Sequence, residues 1–277
     1  MSIWRRSLSG LAAIAVTLAM FSLIAFSLDA SAVRVALGIT PELDVPYVET
    51  RSEMVDTMLD MAEVGPDDHV IDLGTGDGRI LFAAAQDRGA RGLGVDLDPV
   101  LVDDAADEAA RLGLSDRVTF REQDLFETPL HEADVVTMFL LPSVNLRLRP
   151  RLLEELKPGT RVVSNRFDMG DWRPDEVRRT AGYPAYLWIV PADVAGSWML
   201  AVGARSIALE LEQQFQDVTG TAMIDGQPQA IAFSMRGDRL RFSLEIDGEY
   251  RTFDGVVRDD RIIPADEADW LALRQSD

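Results

Sequence analysis

Glycines 74, 76 and 78 stand at every second position of the stretch 70–80, VIDLGTGDGRI, and Asp72 precedes the first of them by two residues. Glycine has no Cβ and takes positive φ without strain, so such a loop turns tightly and lets a ligand lie against bare peptide. Thr75 sits inside it. A second acid, Asp96, closes the short run 92–96 and is followed by Leu97. A carboxylate about twenty residues past a glycine loop is placed to accept the hydroxyls of a ribose. The elements that must carry these groups are readable around them. Val70 and Ile71 have strand character, and 79–88, with Ile80, Leu81 and Ala83 to Ala85, is helix-forming. Strand, glycine loop and helix make the front half of a nucleotide-binding βα unit.

Spacing separates two readings of the loop. The dinucleotide fingerprint G-x-G-x-x-G has its third glycine three residues after the second, whereas here Gly78 follows Gly76 by two. That disfavours a nicotinamide-dependent oxidoreductase. The arrangement D-L-G-T-G-D-G resembles motif I of the class I S-adenosylmethionine-dependent methyltransferases. Further elements follow in the matching order: a third strand over 118–123 ending before Asp124, and a fourth over 133–139 running into Leu140-Leu141-Pro142. The resemblance implies S-adenosyl-L-methionine as cofactor. It places Asp72, Gly74, Thr75, Gly76, Gly78, Asp96 and Leu97 around the cofactor, and Asp124 at the adenine amino group. Leu125 and Phe126 would flank the ring, Phe139 would complete the wall, and Pro142 would open the acceptor pocket.

The expected fold is α/β: a Rossmann-like seven-stranded methyltransferase sheet with helices on both faces, followed by a small antiparallel β domain. Thr50-Arg51-Ser52-Glu53 reads as a capping box before an amphipathic helix whose stripe is Met54, Val55, Met58, Leu59 and Met61. A helix over 145–156 ends at Lys157-Pro158-Gly159. A fifth strand over 160–167 leads to Asp168-Met169-Gly170-Asp171-Trp172, and 176–180 with 185–190 supply a last hairpin. Pro46-Tyr47-Val48, the glycine loop with Asp77-Gly78-Arg79-Ile80, and Phe167 and Trp172 together are similar to small membrane-anchored protein-lysine methyltransferases of mitochondria and their bacterial relatives. That likeness spans roughly 46–190. It implies methyl transfer to a protein lysine or other amine, with Asp168, Asp171 and Trp172 orienting the acceptor and 46–50 folding over the cofactor; the bland reading of the same residues is a solvated loop, a core tryptophan and a docking segment. The N/D-P-P-aromatic motif of nucleic-acid amino-methyltransferases is absent.

Composition narrows the partners. The formal net charge is −20, with 47 acidic residues against 27 basic, and Lys157 is the only lysine. Such a surface repels phosphate backbones and disfavours nucleic acid as acceptor. There is no cysteine, which excludes disulfides, thiolate metal sites and cysteine nucleophiles. With two histidines, no metal site is expected.

The domain plan follows. Residues 1–32 carry Arg5 and Arg6, an uncharged stretch over 8–28 and Ala30-Ser31-Ala32, the pattern of a signal peptide or a membrane anchor. Either places the chain at a membrane or beyond it, although the cofactor is made in the cytosol; the side is left open. A connector spans 33–49, the methyltransferase domain 50–192, and the antiparallel module 193–277. In the module Leu240, Phe242 and Leu244 alternate with polar residues, and Asp225-Gly226, Gly237-Asp238 and Asp247-Gly248 supply turns, giving a meander or partial barrel of about six strands by the spacing of these turns. The alternative to an enzyme is an exported binding protein with a vestigial cofactor site.

Overall fold

The structure is a computed structural model and describes residues 48–275. The amino-terminal segment and most of the connector lie outside the described residues. Among the described residues no helix is long and apolar enough to cross a membrane.

The first half alternates strands and helices: α1 (Ser52–Met61), β1 (His69–Leu73), α2 (Arg79–Arg88), β2 (Arg91–Asp96), α3 (Pro99–Leu112), β3 (Val118–Glu122), β4 (Val135–Met138), α4 (Pro142–Glu155) and β5 (Arg161–Asn165). A hairpin of β6 (Glu176–Thr180) and β7 (Tyr183–Ile189) completes one sheet in the order β3-β2-β1-β4-β5-β7-β6. All neighbours pair parallel except β7, which runs antiparallel to β5 and β6. The order reverses between β1 and β4, and a crevice opens at that point beyond the strands' carboxyl ends.

Successive strand residues point to opposite faces, and the two faces build separate cores. Val70, Val118, Phe120, Val135 and Val163 pack with the buried sides of α1, α2 and α3. Ile71, Leu73, Val95, Val136, Met138 and Val162 pack with Val144, Leu148 and Leu152 of α4 and with Met169, Trp172 and Trp188. Helices therefore cover both faces, with a single helix on the second. The stripe Met54, Val55, Met58, Leu59 and Met61 is buried throughout.

Local signals set the helix ends. Asp98 caps α3 through its side chain to Val100 N–H at 2.9 Å, and Pro99 occupies the first turn. Two expectations are corrected. The cap of α1 is Arg51, with no side-chain cap bond, because the helix starts one residue late for the Thr50–Glu53 box to close. Helix α4 starts at Pro142 rather than Asn145, since proline's fixed φ suits the first turn.

The second half comprises β8 (Gly196–Val202), β9 (Arg205–Gln214), β10 (Asp217–Ile224), β11 (Gln227–Arg236), β12 (Arg239–Ile246), β13 (Glu249–Arg258), β14 (Arg261–Pro264) and β15 (Trp270–Arg274). They form a closed antiparallel barrel, not a partial one of six strands; closure comes from β15 pairing with β8. Alternation fills its interior with Leu240, Phe242, Leu244, Phe253, Trp198 and Trp270. The β9–β10 turn reaches the sheet: Phe215 stacks on Trp172 at 6.0 Å and Gln216 Nε2 donates to the Arg173 carbonyl at 2.6 Å. The barrel thus supplies cover on the face where α4 stands alone.

Candidate active site

The glycine loop is held before any ligand arrives. Gly74 N–H and Thr75 N–H both donate to the Val95 carbonyl at 2.9 Å, tying the end of β1 to the end of β2. Asp96 accepts from Gly76 N–H at 2.9 Å and from Asp98 N–H at 3.0 Å. Gly74 has φ of 76°, and a Cβ there would come within 2.8 Å of Leu140 Cδ2. Gly78, with φ of 79°, begins α2 with its vacant face 2.7 Å from the Phe120 ring. A side chain at either position would be strained by the positive φ and would crowd its neighbour.

One pocket gathers most of the sequence-derived cofactor residues: Asp72, Gly74, Thr75, Asp96, Leu97, Asp124, Leu125 and Phe139 line it, together with Val48, Thr50 and Phe126. Gly76 and Gly78 belong to the same loop but do not line the pocket. Asp72 forms the floor. It is 2% exposed, and Thr137 donates to its Oδ1 at 2.6 Å, while Oδ2 has no hydrogen-bond partner among the described residues. Burial pushes its carboxyl up to about 6; the Thr137 and Thr75 hydroxyls pull it down, and the charges of Asp96 and Asp77 push it further up. The Thr75 hydroxyl is equally buried and makes no well-formed hydrogen bond of its own. A buried carboxylate with one bare oxygen is a receptor for a cationic donor.

At the other end, Asp124 Oδ1 accepts from Phe126 N–H at 2.8 Å. Arg151 of α4 clamps this loop, donating to the carbonyls of Leu125, Phe126 and Thr128. Arg147 lies 3.9 Å over the Phe126 ring. Helix α4 thereby fixes the apolar end of the pocket as well as covering the sheet.

The four acceptor candidates do not line this pocket. Trp172 is fully buried between Trp188 and Phe215, and its backbone carbonyl accepts from Trp188 Nε1 at 2.8 Å. It cannot offer its face to an acceptor; it is a core residue. Asp171 is exposed and ion-paired to Arg149, whose hydrogen bond holds its carboxyl below the usual carboxylate range. Asp168 is exposed and accepts from Gly170 N–H at 3.1 Å, stabilising its own turn. Pro142 is exposed at the first turn of α4. An acid or an indole near a strand end says nothing of which way the loop folds, and this loop folds onto the barrel side.

Sequence reasoning missed Arg79. Its Nη1 donates to the Thr50 carbonyl at 3.0 Å, and its guanidinium pairs with Asp77 and with Glu49 at 3.3 Å. It staples the segment before α1 to the glycine loop and so sets Val48 and Thr50 against the pocket. The available signal was a cation in the first turn of α2, where the helix dipole opposes it, so another interaction had to hold it there. Thr137 was missed because its partner Asp72 lies on a neighbouring strand.

The comparisons agree with this geometry. Residues 72–176 match the model of the ANTKMT methyltransferase domain. A protein-lysine N-methyltransferase of Saccharolobus islandicus is 41% identical over 53% of this chain and 94% of its own length. The adenine nucleotide translocase lysine N-methyltransferase of Mus musculus is 39% identical over 48% of this chain and 57% of its own, so the chain spans little more than half of that mammalian relative. A solved structure described as an RNA methyltransferase from Salinibacter ruber, in complex with S-adenosyl-L-homocysteine, is 50% identical with a TM-score of 0.52, covering 53% of this chain and 96% of that one. Fold and site together define a class I S-adenosylmethionine-dependent methyltransferase, with S-adenosyl-L-methionine as its cofactor. Within that class the chain belongs to the ANTKMT methyltransferase family.

Proposed function

We propose that the protein transfers a methyl group from S-adenosyl-L-methionine to a lysine side chain of a protein. The observation that carries the cofactor half is the Asp72 carboxylate, buried at the pocket floor with one bare oxygen. It suits the cofactor's ammonium. Asp96 keeps lone pairs free for ribose hydroxyls beyond its two backbone bonds, and Asp124 with Leu125 and Phe126 suits a flat purine with an exocyclic amine. When bound, the cofactor would supply a methyl carbon on a cationic sulfur, which a neutral amine nitrogen can take up as the carbon–sulfur bond breaks and the sulfur leaves as a neutral thioether. The chain's residues contribute position: the pinned glycine loop and the α4 clamp fix the pocket's two ends, and the apolar wall of Phe139 and Leu140 keeps water from it.

The lysine half is supported by the archaeal relative, named a protein-lysine N-methyltransferase and covered over 94% of its length. A second reading, RNA, has one observation behind it, the 50% identity to the Salinibacter protein. The net charge of −20 weighs against it. The discriminating experiment supplies methyl-labelled cofactor with cell extract from the source. Label that resists ribonuclease, is released by protease and hydrolyses to methyllysine is the expected result; label in RNA overturns the lysine assignment.

A further inference from the structure

Arg166 follows the last residue of β5 and has φ of 72°, a conformation uncommon outside glycine and concentrated at functional sites. Its N–H is fixed to the Pro184 carbonyl at 2.8 Å. Its guanidinium carbon stands 3.9 Å over the Tyr183 ring and 5.8 Å from the ring of Phe139, which lines the cofactor pocket and stacks on Phe167 at 6.3 Å. Ring contacts occupy a guanidinium's faces and leave its in-plane N–H fork available. That fork makes no hydrogen bond or ion pair among the described residues. Arg88, Arg149, Arg151, Arg161 and Arg205 are held by carboxylates, whereas Arg166 is oriented by two rings, one of them in the wall of the pocket.

We propose that Arg166 binds a carboxylate of the acceptor protein, so that the enzyme selects lysines flanked by acidic residues. The fork matches a carboxylate's two oxygens, and its place beside Phe139 sets that carboxylate next to the pocket from which the methyl group is delivered. The inference rests on the protein-lysine reading. An acidic peptide is favoured over RNA because the other charges of the chain, net −20, repel an extended polyanion but tolerate one or two carboxylates.

The test uses the full chain saturated with S-adenosylhomocysteine and two fluorescent lysine peptides, one with glutamate at both flanking positions and one with glutamine. Anisotropy should show the glutamate peptide binding about tenfold more tightly, as a charged hydrogen bond implies. Arg166→Gln should abolish the difference and Arg166→Lys should restore part of it, with cofactor affinity and unfolding temperature unchanged in both variants. Equal binding of the two peptides, or a difference that survives Arg166→Gln, overturns the proposal. Arg166-dependent binding of a short RNA in preference to the glutamate peptide overturns the choice of partner. If the peptide difference holds while neither peptide is methylated when the labelled cofactor replaces the product, the carboxylate site stands and the lysine reading fails.

Discussion

Asp96 accepts the backbone N–H of Gly76 at 2.9 Å, so the acid that closes β2 grips the loop that follows β1. One carboxylate thus shapes the glycine loop and lines the pocket beside it. Asp96→Ala should weaken S-adenosylhomocysteine binding by about 1.5 to 3 kcal/mol, tenfold to a hundredfold, measured by titration calorimetry. An unchanged dissociation constant would remove Asp96 from the site.

Asp72 gives the pocket a pH dependence. Its carboxyl is raised to about 6 in the folded chain, above the ordinary value of about 3.9. Between those values the folded state holds a proton that the unfolded state has released. The contribution to stability is therefore greatest below about pH 4 and falls as pH rises through about 6. Asp72→Asn should raise the unfolding temperature of the ligand-free protein by several degrees at pH 7.5, a gain on the order of 3 kcal/mol, yet bind the cofactor at least tenfold more weakly. Wild-type affinity should itself decline as pH falls below about 6. Affinity that is flat from pH 5 to 8 would separate Asp72 from the cofactor's ammonium.

Arg79 should act through position. Arg79→Gln releases the Thr50 carbonyl from its 3.0 Å bond and should raise the cofactor's dissociation constant about three- to tenfold, the value of one ordinary hydrogen bond. The unfolding temperature should move little. A large fall in stability with unchanged affinity would make Arg79 a structural brace only.

Trp172 should matter for folding. Trp172→Ala removes a fully buried indole packed on Trp188 and Phe215 and should cost about 3 to 5 kcal/mol, seen as a lower denaturation midpoint. Trp172→Phe should recover most of that, and methyl transfer per folded molecule should persist in both. A loss of turnover in a fully stable Trp172→Phe variant would return the indole to the acceptor site.

These cases mark what was legible in the chain. The seven-stranded sheet and most of the lining of the pocket at its switch point are written locally, as an acid or a glycine loop directly after a short apolar run, and Asp72, Asp96 and Asp124 could be placed together from that pattern. The post-β5 loop is different: Asp168, Asp171 and Trp172 sit beside the right strand, but their direction is decided by Phe215, which arrives from the barrel. Barrel closure was equally hidden, because it depends on β15 meeting β8 across the whole second half. The turns were readable; the pairing that joins the two ends carries no local signal.

Thermal unfolding of the protein with S-adenosylmethionine, S-adenosylhomocysteine and NAD, each supplied separately in large excess, tests the pocket between β1 and β4 most directly. A ligand at a hundred times its dissociation constant adds about 2.7 kcal/mol, which for a chain of this size is roughly 5 to 10 °C. The expected result is that shift with both sulfur compounds, none with NAD, and its loss in Asp96→Ala. A shift with NAD, or none with either sulfur compound, would contradict the assignment.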